Sequence, residues 1–199
     1  MKILLINIAV FICLHASAQV YIAPSTHFVV VGNAQVTMQD VGLLSEGVVH
    51  AGNGTFRFSG TSDVNIGGSA PMLLNDFHLN KTSSAIVSIL QNLSVSNRVI
   101  FEGGLLNLGV RNLDLGTTGS LVNESEVSRI YSNESGEVVA RRTLNAPQQE
   151  NPGALGAFIT SSEDMGEVII KRGHLSQTNG NGQGNSILRY YEIVPANNN

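Results

Sequence analysis

Pairs of apolar residues return every six or seven positions between Val87 and Leu115, with one residue inside each pair that is polar in four of the five. Alternation with period two is typical of a strand with one buried face. Strands this short and this closely spaced predict stacked coils, that is, a β-solenoid of the parallel β-helix type. The pairs are Val87/Ile89, Leu93/Val95, Val99/Phe101, Leu106/Leu108 and Leu113/Leu115.

A longer repeat of twenty residues supports the coil, because residues 92–95 (Asn-Leu-Ser-Val) are echoed by residues 112–115 (Asn-Leu-Asp-Leu). Three short strands per turn would place Leu93 over Leu113 inside the coil and Asn92 over Asn112 at a corner. The nineteen asparagines beyond residue 18 fit such corners, since Asn tolerates a left-handed backbone. Further corners are expected at Gly103, Gly104, Gly109, Gly116 and Gly119.

Upstream, the pairs Phe56/Phe58, Val64/Ile66 and Phe77/Leu79 continue the alternation with looser spacing. They are interpreted as earlier turns of the same coil that carry insertions. An antiparallel β-sandwich is the alternative all-β fold, because its strands recur about every eight to twelve residues. Beyond the N-terminal segment, the apolar pattern does not favour α-helix.

The first eighteen residues predict an export signal. Lys2 gives a positive start, residues 3–14 an apolar core, and Ala16-Ser17-Ala18 a cleavage site of small residues, so that Gln19 begins the mature chain. The apolar stretch is shorter than the roughly 20 residues that span a bilayer. The only cysteine, Cys13, lies in this segment, which leaves the mature chain without a disulfide, a thiol nucleophile or a lipid anchor.

The positions of the prolines suggest how the rest of the chain is divided into domains. None lies between Pro71 and Pro147, which suits an uninterrupted sheet region, and Pro152 follows closely. We therefore predict a solenoid domain over residues 19–144, a linker over 145–156 and a C-terminal β segment over 157–199.

The composition and charge of the chain exclude some classes of binding partner. Charged residues make up 13% of the chain, about half of the usual share of roughly 25%. Without Lys2, 10 basic residues stand against 15 acidic ones, a net charge of −5. This balance argues against nucleic acid, and against electrostatic attachment of the mature chain to anionic lipid.

Seven short segments of the sequence carry a family resemblance, at 54–61, 77–82, 92–97, 104–109, 159–162, 169–174 and 187–195. The first four resemble the β-repeat region of large secreted, adhesin-like proteins exported by the type IX (Por) secretion route of gram-negative bacteria. The last three resemble the module that commonly follows those repeats. The resemblance implies an extracellular or cell-surface scaffold. Such proteins usually continue into further β-domains and a sorting domain, so this chain is expected to be a truncated or short version.

The acids are the first candidates for catalysis, because β-solenoids also carry polysaccharide lyases and glycoside hydrolases, which need paired carboxylates or a carboxylate near a base. The candidates are Asp63, Asp76, Glu102 and Asp114. In the twenty-residue register Asp114 lies over Ser94, and Glu102 falls on a different face. The sequence therefore predicts no acid pair and no catalytic residue.

The remaining motifs also favour structural roles. The histidines have no metal-ligand spacing, so no metal or cofactor is expected. The pair Arg141-Arg142 could anchor an acidic sugar but is more typical of a solvated sheet edge. The tract 180–185 lacks the Lys-Ser/Thr of a phosphate-binding loop, and five Asn-X-Ser/Thr triplets are compositional. The histidines beyond residue 18 are His27, His50, His78 and His174, and His78 is expected to point outward.

Two hypotheses follow. The favoured one is a non-enzymatic surface scaffold, spacer or adhesin-like module that binds extracellular proteins or glycans; the alternative is a carbohydrate-active β-helix domain. The tyrosines at 131, 190 and 191 lie outside the repeat, so stacking on sugars is not favoured over a spacer or protein-binding role. An uncapped solenoid is also expected to associate end to end.

Overall fold

The computed structural model describes residues 18–50, 52–82, 84–176 and 188–197. It confirms an all-β chain, 58% strand, whose parallel coils stack into a β-solenoid of about five turns. Residues 1–17, with Cys13, and the tract 180–185 lie outside the described residues. The strands are β1 (Ala18–Ile22), β2 (His27–Val29), β3 (Gln35–Gln39), β4 (Val41–Ser45), β5 (Val48–His50), β6 (Thr55–Gly60), β7 (Val64–Gly68), β8 (Met72–Lys81), β9 (Ile86–Ile89), β10 (Leu93–Asn107), β11 (Leu113–Asp114), β12 (Ser120–Val122), β13 (Ser128–Tyr131), β14 (Glu137–Asn145), β15 (Asp164–Gly173) and β16 (Tyr190–Pro195).

The coil has three faces, and parallel ladders run along each of them. The first face stacks β1, β4, β7 and β9, followed by the end of β10 and β13. The second stacks β2, β5, the start of β8, the start of β10, β11 and β14. The third stacks β3, β6, the rest of β8, the middle of β10 and β12. Strand β10 therefore makes a complete turn, and it passes from the third face to the first at Gly103 and Gly104.

The apolar pairs of the sequence form the core. All ten residues of the five pairs between Val87 and Leu115 are buried. Leu93 lies opposite Leu113 and Ser94 opposite Asp114, so the twenty-residue register is confirmed. On the third face, Val36, Phe56, Phe77, Val99 and Leu121 form one inward column. Each fully buried Leu, Val or Phe stabilises the fold by about 1.5–3 kcal/mol relative to an exposed one.

The turn length varies because the corners carry insertions. The offset is 20 residues between Leu93 and Leu113 but 23 between Ala18 and Val41. It reaches 25 between Leu113 and Val138, the next pair along the second face. Strand register is thus kept while the corners absorb the extra residues, which explains the looser spacing outside 87–115.

The asparagines act mainly through their side chains. Among the described asparagines only Asn123 has a positive φ, 60°, so the expectation of left-handed Asn corners was largely wrong. The ladder itself is present: Asn92 Oδ1 accepts from the Asn112 N–H group at 3.0 Å, and Asn112 Oδ1 accepts from the Glu137 N–H group at 3.1 Å. Left-handed corners are made instead by glycines such as Gly109 and Gly116, both at φ 55°.

The chain beyond the last parallel turn remains attached to the same core. Strand β14 pairs with β11 in parallel and with β15 antiparallel, and β15 pairs antiparallel with β16. Between β14 and β15, a short 3-10 turn (Pro152–Ala154) precedes Leu155, which is fully buried. Ile159, Val168 and Ile170 join the same apolar cluster. This antiparallel extension closes the C-terminal end of the coil.

Replacing Leu93 with Asp is expected to prevent folding, because it places a carboxylate at a fully buried inward position. Even removal of a buried Leu side chain costs about 2–5 kcal/mol, a large part of the roughly 5–15 kcal/mol that stabilises a domain. The measurement is far-UV circular dichroism with urea unfolding. The matched control Asn65→Asp changes an exposed, outward residue of β7 and should fold normally; a native spectrum for Leu93→Asp would contradict the register.

Candidate functional site

The acids that sequence analysis singled out lie apart and each makes a structural contact. Asp63 Oδ1 accepts from the Ile86 N–H group at 2.8 Å, which ties one corner to the next turn. Asp114 Oδ1 accepts from Arg141 Nη1 at 2.7 Å and from the Gly116 N–H group at 2.8 Å. The predicted position of Asp114 over Ser94 is confirmed.

Asp76 is the most buried of these acids, with 9% of its side chain exposed. Its carboxylate receives two hydrogen bonds from Arg98, at 2.7 and 3.3 Å, and one from Asn97 Nδ2 at 2.8 Å. Because Asp76 and Arg98 face each other in adjacent turns, this ion pair staples β8 to β10. Both oxygens of this carboxylate therefore accept hydrogen bonds from within the fold.

Glu102 lies at the centre of a polar cluster on the outer surface of the third face. Its carboxylate accepts from Arg57 Nη2 at 2.9 Å and from Asn80 Nδ2. His78, which points outward as predicted between buried Phe77 and Leu79, places Nδ1 3.6 Å from Glu102 Oε1. The cluster arises because β6, β8 and β10 stack in register, with Arg57 opposite His78.

A second cluster of polar contacts joins separate turns at the corner after β3. Asp40 Oδ1 accepts from the Thr61 and Ser62 N–H groups, both at 2.7 Å, and from Lys81 Nζ at 3.3 Å. The hydrogen bond from Ser62 and that from Lys81 outweigh desolvation and hold the pKa of Asp40 below its ordinary value. The Lys81 side chain is fully buried, a position that sequence analysis did not single out. Gly60, at φ 101°, is required here because a Cβ atom would overlap the Asp40 carboxylate.

The arginine pair is engaged within the fold. Arg141 binds Asp114, as described above. Arg142 donates to the carbonyl oxygens of Gly116, at 2.9 Å, and Gly119. These contacts fix the corner between β11 and β12, so the pair has a structural role rather than that of a solvated edge.

The most distinctive charged site of the described chain is at the C-terminal end of the coil. Arg172, with 1% of its side chain exposed, donates to both Glu124 oxygens at 2.7 and 2.9 Å. Glu124 also accepts from the Ile130 N–H group at 3.1 Å. Burial opposes ionisation of Glu124, but the hydrogen bonds and charge of Arg172 outweigh it and lower the pKa of this carboxyl.

This ion pair was not predicted from the sequence, although the sequence pattern does indicate that Arg172 is buried. Val168, Ile170 and Arg172 alternate along β15 and all point into the core. The same period of two that identified the apolar pairs therefore assigns Arg172 to an inward position. Nothing in the sequence pattern identified its partner Glu124, which comes from the loop between β12 and β13, 48 residues earlier.

His174 lies beside the ion pair and is 6% exposed. Neither ring nitrogen has a hydrogen-bond partner among the residues that the structure describes. Burial, followed by the charge of Arg172, lowers the pKa of His174 to about 4; Arg189 and Arg129 act in the same direction and Glu124 opposes them. The imidazole is therefore neutral at physiological pH.

A cleft of about 660 Å³ opens next to this site. Residues 124–127 supply one wall, and Arg129 and Arg189 also line the cleft. Arg129 Nη1 donates to the Glu126 carbonyl oxygen. An arginine at a cleft can bind a carboxylate or another oxyanion through its remaining N–H donors. The remaining lining residues are Glu124, Ser125, Glu126 and Val127.

Within the described residues, no three His, Cys, Asp or Glu side chains are grouped so that they could hold a metal ion. The same part of the chain contains no helix long and apolar enough to cross a bilayer. Comparison with family models, curated proteins and solved structures finds no significant match to the chain.

Replacing Glu124 with Gln is expected to destabilise the protein by about 3 kcal/mol, because Arg172 is left buried without its counter-charge. Adding Arg172→Leu should recover much of this loss, since the unpaired charge is then removed. Urea unfolding of the two single variants and the double variant measures the coupling. The exposed control Glu167→Gln should change stability by less than about 0.5 kcal/mol; equal and additive losses would show that the pair is not coupled.

Stability should also depend on His174 in mildly acidic solution. Its pKa is about 4 in the folded chain and 6.5 when unfolded. The unfolded chain therefore binds the proton first, so stability is full above pH 6.5 and falls by about 3 kcal/mol as the pH drops to 4. Urea unfolding across this range for the wild type and His174→Leu gives the difference curve. A difference that does not vary with pH would contradict this environment for His174.

Proposed function

We propose that this chain is a secreted, non-enzymatic β-repeat module that serves as an extracellular scaffold or spacer of the adhesin-like kind. The observation that carries the proposal is that the acids of the repeat are engaged in ion pairs within the fold. Asp76, Glu102 and Asp114 each form an ion pair with an arginine of another turn. Such pairs join separate coils, adjacent ones for Asp76 and Asp114 and coils two turns apart for Glu102. Glycoside hydrolysis instead needs two carboxyl groups held across one sugar bond.

The shape of the coil supports a spacer. Parallel strands about 4.8 Å apart build a straight stack in which each turn adds the same increment of length. Fully buried columns such as Phe56 and Phe77 run through this stack and make it rigid. A rigid rod that presents polar side chains at regular spacing is suited to hold other extracellular groups at a fixed distance.

Export is proposed from the N-terminal segment, with cleavage between Ala18 and Gln19. The resemblance to adhesin-like proteins of the type IX route further suggests the bacterial cell surface as the destination. Other extracellular proteins or glycans are the proposed partners. Among glycans, acidic ones fit best, because Arg129 and Arg189 line the C-terminal cleft.

The test combines a polysaccharide-cleavage screen, an array of neutral and uronic-acid glycans, and a matched pair of variants. Glu102→Gln should lower stability by about 1 kcal/mol, or about 2–4 °C in the thermal midpoint for a chain of this size, because Arg57 loses its partner. Glu167→Gln should leave the midpoint unchanged. Neither the wild type nor the variants should release sugar from any substrate.

Reproducible cleavage by the wild type that disappears in Glu102→Gln but persists in Glu167→Gln would overturn the scaffold proposal in favour of an enzyme. Binding of uronic-acid glycans without cleavage would support the adhesin-like role. An unchanged midpoint in Glu102→Gln would remove the argument from ion pairing.

A further inference from the structure

The N-terminal end of the coil exposes residues that belong to the core. Val20 is in register with fully buried Leu43, yet it is 37% exposed. Phe28 and Val36 occupy the corresponding inward positions on the other two faces, opposite buried Val49 and Phe56, and are only partly buried. Within the described chain, no residue lies over these three side chains from outside.

The edge of the same turn is unprotected. Within the described part of the chain, the only strands that β1, β2 and β3 pair with are β4, β5 and β6 respectively, so one side of each carries free backbone groups. Natural edge strands are usually blunted by Lys, Pro, bulges or inward charges. These three strands contain no Lys, Arg, Asp, Glu or Pro, and their registers are regular.

The C-terminal end of the coil differs from the N-terminal end in strand direction and in the charge of its edge strand. Strands β15 and β16 run antiparallel there, and the edge strand β16 carries Glu192 and Pro195. Leu155 and Ile159 also cover the core at this end. On the second face, β15 and β16 take the place of a further parallel coil, so a second copy cannot continue all three ladders at this end and head-to-tail growth into a filament is disfavoured.

Two N-terminal ends, by contrast, are compatible with each other. A two-fold axis perpendicular to the coil reverses strand direction, so each edge strand of one copy meets an edge strand of the other antiparallel and can form a ladder. The strand on the axis meets its own counterpart, and the remaining two strands meet each other. No like charges oppose each other across this contact, because the three strands carry none. The first turn of the mature chain, residues 19–39, also lies within the roughly 20–30 residues per side of a standard interface.

We infer that two copies of the mature chain associate head to head through β1, β2 and β3, forming a closed dimer that covers Val20, Phe28 and Val36. The inference rests on the proposed export and removal of residues 1–18, which frees this end. The end-to-end association expected from the sequence is thereby limited to one contact, between two N-terminal ends.

The experiment uses the chain expressed with its own N-terminal segment and purified after export. Intact mass spectrometry reads the mature N-terminus and so tests the proposed processing separately. Sedimentation equilibrium over a concentration series then gives the assembly mass of the wild type, Val20→Lys and the matched control Val110→Lys, whose valine is 52% exposed at a distant corner.

The wild type and Val110→Lys should be dimers, and Val20→Lys should weaken the dimer at least about tenfold, because it places a lysine on each side of a contact whose strands otherwise carry no Lys, Arg, Asp or Glu. If circular dichroism shows that Val20→Lys does not fold, Thr37→Lys, an exposed substitution on β3, should give the same result. A monomeric wild type, a mass that grows without limit, or a dimer that persists in both folded edge variants would overturn the inference.

Discussion

The structure depends on the register between successive coils. In a parallel stack, the backbone N–H and C=O groups of one turn are satisfied by the turns on either side, so a turn cannot be stable by itself. Inward columns fix that register, because a slip of one residue would turn Leu93 or Phe77 toward solvent and its polar neighbours into the core. The corners are free to vary in length as long as the strands between them stay aligned.

Polar side chains reinforce the same register from outside. With few charges in the chain, most of those in the repeat are used between turns: Asp76 with Arg98, Glu102 with Arg57, and Asp40 with Lys81. Asparagine side chains act alongside them by accepting hydrogen bonds from the N–H groups of the next coil. The outer surface is therefore specified largely by the requirement to hold neighbouring turns together, and the C-terminal cleft is its main departure from this pattern.

The apolar pairs allowed much of the fold to be predicted, because period-two alternation determines which side chains are buried. The pairing of Leu93 with Leu113 followed from an internal echo that is visible in the sequence. The role of Asn was predicted less well, since propensity for left-handed backbone does not reveal whether a side chain will bond to the next coil instead. The Glu124–Arg172 pair could not be found from spacing, because it joins a corner loop to a strand that returns antiparallel much later in the chain.

The direction of the ladders also has a mechanical consequence. The strands of each turn run perpendicular to the axis of the coil, so the hydrogen bonds between turns point along that axis. A pull on opposite ends of the rod would load these bonds one turn at a time, as in unzipping, rather than shear them all together. Each released turn of about 22 residues would add roughly 70 Å of extended chain. A tether built this way would yield in steps and dissipate load while the remaining turns stay folded.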